Sequence, residues 1–279
     1  MKVFITGGGG FLGLAILKQL VERDFEVVSY SRGKYEALEK PGIIHHQGDL
    51  LDYAKLKTAL QDCEAVFHVA GKAGIWGSYA SYYETNVTGT KNIIKACLEQ
   101  GIRYLVYTSS ASVVYGANSQ LHDEGLPYPQ KFDAYYPQTK AIAEQVVLKA
   151  NGPYLATCSL RPHLIWGPGD PHLFPRFFSR QQKGQLRLLG KGTHLIDTTY
   201  IDDAARAHLQ AFDAMQKNPS VAGRAYFLSQ DEPIAIHKFI NLLLEAGGLP
   251  PVNKTMDPTI AMVTGWLLQS VFRLFHVQS

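Results

Sequence analysis

The sequence predicts an α/β fold: a doubly wound parallel sheet with a small C-terminal lobe. Three observations carry the prediction. The apolar run Val3-Phe4-Ile5 leads straight into the turn Thr6-Gly7-Gly8-Gly9-Gly10-Phe11-Leu12-Gly13 and then into helix-patterned residues 14–20. Strand-like and helix-like segments alternate as far as Ser110, with no internal repeat, linker or low-complexity tract between them. From Pro162 the pattern loosens and aromatic residues gather, as expected where a second lobe is inserted. Alternation of this kind builds a parallel sheet with helices on both faces.

Each element follows in order. Val3-Phe4-Ile5 is the short run of a buried parallel strand. Gly7 permits a tight turn, Gly10 lets backbone approach a pyrophosphate, and Gly13 allows close packing of helix on strand. The N–H groups of Phe11 and Leu12, at the positive end of the helix, then face the phosphates. This is a Rossmann dinucleotide site in its proper context of strand, glycine turn and helix. A second strand, Phe25–Tyr30, ends at Ser31-Arg32. An NAD site would place an Asp or Glu here for the ribose 2′-OH. A hydroxyl and a guanidinium suit a 2′-phosphate instead, so NADP(H) is expected, with NAD(H) as the alternative. The third strand, Ile43–Leu50, brings Asp49 to accept from the adenine amino group or to cap the next helix, with Leu50 beside it. The fourth, Ala65–Gly71, ends in small residues, Ala70 among them, where backbone passes a cofactor. A helix over Asn86–Cys97 buries Ile93, Ile94 and Cys97, and a fifth strand, Tyr104–Ser110, ends in hydroxyls. The expected division is a dinucleotide-binding domain over 1–160 and a mainly substrate-binding lobe over 161–279. Segments around 195–230 return to the Rossmann core.

A helix beginning near Asp133 places Tyr136 and Lys140 four residues apart, on one face. A phenol titrates near ~10, too high for proton exchange at neutrality, and a neighbouring ammonium lowers that value. The pair can pass a proton to or from a substrate oxygen while hydride moves to or from nicotinamide. Ser110, at the C-terminal end of a strand, can hold that oxygen. Tyr135 is the rival phenol but stands five residues from Lys140.

Thr6–Gly13, Asp49-Leu50, Asn86-Val87-x-Gly89-Thr90, Thr108-Ser109-Ser110 and Tyr136–Lys140 together resemble the extended short-chain dehydrogenase/reductases over nearly the whole chain. The resemblance implies Ser110, Tyr136 and Lys140 as catalytic residues, Lys140 as a ligand of the nicotinamide ribose, and Asn86 as the support of Lys140 in a proton relay. Residues 107–114 and Tyr136-Pro137-x-x-Lys140 look like the branch containing 3β-hydroxysteroid and sterol-4-carboxylate dehydrogenases. Residues 160–172, 199–208 and 223–227 are similar to bacterial 2-alkyl-3-oxoalkanoate reductases of long-chain olefin biosynthesis. That group implies reduction of the β-keto group of a hydrophobic two-tailed acid by NADPH, a place in lipid metabolism, and assembly with other enzymes of the olefin pathway. Alternatives are a 3β-hydroxysteroid or sterol-4-carboxylate 3-dehydrogenase, an NAD-dependent sugar-nucleotide epimerase, and, from another class, a non-catalytic dinucleotide sensor.

On the substrate side, Pro162 lets backbone approach the nicotinamide. Trp166, Leu173, Phe174, Phe177 and Phe178 offer apolar lining or plain core. His163, His172 and Arg176 are candidates to meet a carboxylate, Arg176 by a bidentate contact. The apolar helical pattern in 253–279 has three readings: a lid or oligomer contact such as a homodimer, an interfacial membrane helix, or a helix whose partner is missing. Arg273 and the shortness of the run argue against a membrane span. The chain also stops sooner than the group it resembles, which suggests that C-terminal residues are missing.

Composition bounds these readings. A chain of 279 residues buries a large core, and a net charge of +3 without a basic stripe excludes nucleic acid. Three separated cysteines, Cys63, Cys97 and Cys158, read as buried thiols of a reducing compartment. With a strand at the N-terminus leaving no room for a signal peptide, the cytoplasm is expected. The ten histidines show no metal spacing.

Overall fold

The structure is a computed structural model that describes residues 1–74, 76–115, 123–171 and 173–265. Seven parallel strands form one sheet: β1 (Lys2–Thr6), β2 (Glu26–Ser31), β3 (Ile43–Gln47), β4 (Ala65–His68), β5 (Tyr104–Thr108), β6 (Ala156–Pro162) and an edge strand, Arg224–Leu228. Their spatial order is edge strand, β6, β5, β4, β1, β2, β3. The chain therefore winds outward from β1 to β3 and restarts at β4 on the other side of β1. Such a reversal opens a crevice at the C-terminal strand ends, where ligands of doubly wound sheets bind.

The helices are α1 (Phe11–Glu22), α2 (Tyr53–Ala59), α3 (Tyr79–Tyr83), α4 (Gly89–Gln100), α5 (Tyr135–Lys149), α6 (Leu173–Gln182), α7 (Ile201–Lys217) and α8 (Ile236–Ala246). Side chains along a strand alternate between faces. Val3 and Ile5 accordingly join Ile16 and Leu20 of α1 and Leu209 and Phe212 of α7 in one core. Phe4 lies on the other face, with Leu56 of α2, Ile93 and Cys97 of α4 and Val147 of α5. Each such side chain, fully buried, contributes ~1.5–3 kcal/mol.

Two helices depart from the sequence reading. The segment expected to start at Asn86 begins at Tyr79, capped by Ser78, whose side chain accepts from Ser81 N at 3.3 Å. A π-helical turn, Glu84–Thr88, joins α3 to α4, which stops at Gly101, where φ is +69°. The cap of α2 is Asp52, accepting from Lys55 N at 3.2 Å, and not Asp49.

The chain forms two compact units, Met1–Ile165 with Thr199–Ser229, and Trp166–Thr198 with Gln230–Ser279. The first holds the sheet and both of its covering layers. In the second, Leu186, Leu188, Ile240, Leu244 and Val252 form a small core against which Phe177 and Phe178 pack. Trp166 meets Phe239 at 5.7 Å and Phe174 at 6.5 Å between ring centroids, so these aromatic residues are used in packing the unit itself. Residues 258–265 are helical, with Ile260 and Val263 exposed. The remainder of that pattern, Trp266, Leu267, Val271, Arg273 and Leu274 included, lies outside the described residues. Among the described residues no helix is long and apolar enough to cross a membrane.

Candidate active site

The glycine turn lies between the C-terminal ends of β1 and β4. Gly7 has φ +71°, and a Cβ there would stand 3.0 Å from the Ala70 backbone. A Cβ on Gly13 would fall 2.0 Å from the Gly7 carbonyl oxygen, so only glycine lets α1 close onto the turn. Gly10 donates its N–H to Gly7 O at 2.9 Å, and Phe11 and Leu12 open α1. The Thr6 hydroxyl accepts from Val69 N at 3.1 Å and Ala70 N at 3.0 Å, tying β1 to the residues after β4. At the end of β2 the Ser31 hydroxyl is buried with no hydrogen-bond partner, and Arg32 is exposed beside it. Asp49 folds back to accept from Leu51 N at 2.9 Å. Leu50 is buried, and a Cβ on Gly89 would meet its side chain at 2.9 Å. Pro162 ends β6 in a buried position. A cradle that a single Cβ would fill, an open helix start and an orphaned hydroxyl at the ribose position fit a nicotinamide dinucleotide.

The candidate proton-transfer residues come from two elements. Tyr136 and Lys140 rise from the first turns of α5, and Ser110 follows β5. The Ser110 hydroxyl favours the ionised form of the Tyr136 phenol. The same serine hydroxyl lies 2.8 Å from Ser112 Oγ and accepts from Ser112 N at 3.2 Å. Lys140 is buried; its Nζ donates to the Thr108 carbonyl at 2.6 Å and sits 4.2 Å from the centroid of the Tyr107 ring. Asn86 and Lys140 flank Gly71, whose added Cβ would lie 3.3 Å from Asn86 Oδ1 and 3.8 Å from Lys140 Nζ. Asn86 itself is bonded to its neighbours: Oδ1 accepts from Lys72 N at 2.7 Å, and Nδ2 donates to Lys72 O at 3.1 Å and Thr139 Oγ1 at 3.0 Å. Tyr135 stands apart, exposed and edge-on to Tyr79.

Electrostatics correct one expectation. Burial raises the Tyr136 phenol above its ordinary value, and the Ser110 hydroxyl only partly opposes this. The ammonium does not depress it. Burial instead brings Lys140 down to about 7, with the Glu144 carboxylate pulling the other way. The amine at 140 is thus poised near neutrality.

Three buried arrangements that the sequence reading missed support this face. His68 Nε2 lies 2.9 Å from Thr90 Oγ1, which donates to Asn86 O at 2.6 Å. Thr90 must therefore accept, so Nε2 carries the proton and Nδ1 accepts from Thr6 Oγ1 at 2.7 Å. Burial, then the charge of Lys140, pushes His68 down to about 3. His208 on α7 donates Nδ1–H to Ala204 O and accepts from Thr108 Oγ1, both at 2.7 Å, and burial pushes it down to about 4. The third arrangement is ionic. Glu144, one turn after Lys140, accepts from Arg161 Nη2 at 2.7 Å, Tyr128 OH at 2.7 Å and Ser159 Oγ at 2.8 Å. Its spacing of four from Lys140 was the one local signal available.

The 3-beta hydroxysteroid dehydrogenase/isomerase family model matches residues 4–258. The chain belongs to this family. Its members include NAD(P)-dependent oxidoreductases of the extended short-chain type, and this chain is one of them. It is 46% identical to a 2-alkyl-3-oxoalkanoate reductase of Stenotrophomonas maltophilia, covering 100% of this chain and 85% of the relative. A protein of the same name from Shewanella oneidensis is 44% identical over 99% of this chain and 73% of its own length. Among solved structures, the Thermus thermophilus UDP-glucose 4-epimerase complex with NAD superposes with a TM-score of 0.77 at 26% identity, covering 92% of this chain and 87% of that one.

The residues expected on the substrate side fall in different places. His163 belongs to the first unit, where its Nδ1 lies 2.9 Å from Tyr115 OH and its ring 5.6 Å from that of Phe227. Trp166, Phe174 and Arg176 belong to the second unit, Arg176 exposed on α6. His172 lies outside the described residues.

Proposed function

We propose that the protein reduces the β-keto group of a hydrophobic 2-alkyl-3-oxoalkanoic acid to the 3-hydroxy acid, reversibly and with a preference for NADPH. The observation that carries this is the buried Lys140 amine, held at the carbonyl of Thr108 at the end of the strand that Ser110 follows and on the same helix as Tyr136, in a chain similar throughout to two reductases of that name. Gly7, Gly10, Phe11, Leu12 and Gly13 would hold the pyrophosphate, Ala70 and Pro162 would border the ring, and Ser31 and Arg32 would meet a 2′-phosphate. When bound, the nicotinamide supplies the hydride. Ser110 orients the ketone oxygen by donating to it. Tyr136 protonates that oxygen as the carbonyl carbon is reduced. Lys140 would hold the nicotinamide ribose and through it return a proton to the phenolate that remains, and Asn86 keeps the loop after β4 against the amine through its bonds to Lys72. Three buried thiols agree with a cytoplasmic enzyme.

The test is NADPH oxidation with a 2-alkyl-3-oxo acid beside a 3-oxosteroid and a sugar nucleotide. Turnover of the keto acid alone is expected; preference for the steroid or the sugar would overturn the substrate assignment. Tyr136→Phe should lower kcat by about 10²–10⁴ while dinucleotide binding, followed by fluorescence, stays intact. Near wild-type turnover would retire Tyr136 as the proton donor.

A further inference from the structure

The segment after β2 is bonded to its neighbours at several points. Gly48 N donates to Ser31 O at 3.0 Å, Gln47 Nε2 to Arg32 O at 2.7 Å, and His45 Nε2 to Gly33 O at 3.1 Å. Leu38 N donates to Tyr35 O at 2.9 Å, and the Leu38 side chain is buried. These bonds tie the segment to β3 on one side. On the other side the Tyr35 ring lies on the glycine turn. A Cβ on Gly9 would stand 2.2–2.4 Å from ring atoms of Tyr35, and one on Gly33 3.0 Å from the ring and its hydroxyl. The ring is thus seated between two glycines that belong to different loops.

This explains a residue that the dinucleotide fingerprint leaves free. Gly7, Gly10 and Gly13 answer to the turn, the phosphate and the helix; Gly9 answers to Tyr35. Neither Gly9 nor Gly33 has a positive φ, so what demands glycine there is the space the ring takes. The consequence falls on charge. Arg32 and Lys34 flank Gly33, both exposed, and neither enters an ion pair among the described residues. Next to them, at the end of β2, is the buried, unpartnered hydroxyl of Ser31. A hydroxyl and two cations on a loop already held in place are preorganised for a dianionic monophosphate ester.

We propose that Tyr35 is a specificity-positioning residue. Seated on Gly9 and Gly33, it locks the Ser31–Lys34 loop against the phosphate-binding turn and so sets discrimination for the 2′-phosphorylated dinucleotide. The proposal rests on the NADPH preference inferred above. Releasing the ring frees a loop that must then be reordered on binding, and only a ligand that uses the loop feels the loss.

The test measures dissociation constants of NADPH and NADH by nucleotide fluorescence for the wild type, Y35A, Y35F, G9A and the G9A/Y35A double variant. Y35A should weaken NADPH binding roughly tenfold and NADH binding by less than about twofold. Y35F, which keeps the ring, should retain the wild-type ratio. G9A should mimic Y35A by expelling the ring, and the double variant should be no worse than either single one. Y35A that leaves the ratio unchanged, weakens both nucleotides equally or tightens NADPH overturns the proposal, as does full additivity of G9A and Y35A. A wild type that binds NADH as well as NADPH removes the cofactor reading and this inference with it; a wild type that prefers NADPH with an unmoved ratio in Y35A removes the inference alone.

Discussion

Two kinds of buried polar assembly brace the proton-transfer face, and they stand in opposite charge states. At the ends of β1, β4 and β5, His68 and His208 are neutral, each donating from one ring nitrogen and accepting at the other. Behind α5, Glu144 and Arg161 are both ionised and almost wholly excluded from solvent. Burial alone would raise the Glu144 carboxyl, but the hydrogen bonds and charge of Arg161 outweigh it and hold the group below its ordinary value. The partners decide the difference. A histidine offered only hydroxyls and a carbonyl gains nothing that offsets burial of a charge, so it stays neutral; a carboxylate offered a bidentate guanidinium keeps its charge. Lys140 lies between the two cases, with one carbonyl and one aromatic face as partners, and titrates near neutrality.

The comparison can be broken most severely at the ion pair. Glu144→Gln leaves a buried guanidinium unpaired and should lower unfolding free energy by about 3–5 kcal/mol in urea titrations. A Glu144→Leu/Arg161→Met double variant should recover most of that loss, because two apolar side chains leave no charge behind. If the double variant is as unstable as the single one, packing and not charge is the cause.

The histidines should reveal themselves through pH. Their values in the folded protein, about 3 and about 4, lie below the ordinary histidine value, so the unfolded chain binds more protons in between. Stability from each is therefore complete above pH ~6.5 and drains away as pH falls toward those values. For His208 the loss should approach about 3 kcal/mol at pH 4. His208→Gln should show a flatter fall than wild type between pH ~6.5 and ~4; parallel curves would mean that His208 is not buried neutral. A smaller effect is expected from Thr90→Val, which takes the acceptor from His68 Nε2–H and should cost about 1–3 kcal/mol. Least of all, Arg23→Ala, at an exposed pair with Asp213, should change stability by about 0–1 kcal/mol. A larger loss there would blur the contrast between buried and exposed charge.

What the sequence disclosed, and what it withheld, follows the same division. The glycine turn, the strand–helix alternation and the four-residue step from Tyr136 to Lys140 are local patterns, and each was readable because its physics is local. The histidine and ion-pair partners are separated by 62, 100 and 17 residues, and no periodicity links them. Asp49 was a plausible cap, yet Asp52 stands at the helix start and takes that part. The helix before Asn86 was missed because the π-helical turn interrupts the 3.6-residue repeat by which helices are recognised. The expected lowering of the phenol failed for a different reason: spacing shows which groups meet, not how far solvent is excluded from them.

That widened turn at Glu84–Thr88 makes the loop after β4 depend on arithmetic. Removing one residue there would restore an even α-helical ladder and rotate everything upstream by about 100°, while Ile93 and Cys97 keep α4 anchored in the core. The Tyr82 hydroxyl would swing away from the carbonyls of Gly74 and Trp76, and the segment leading into the site would lose its mooring. The placement of that segment is thus written in a count of residues, and a one-residue deletion would reach it where many single substitutions would not.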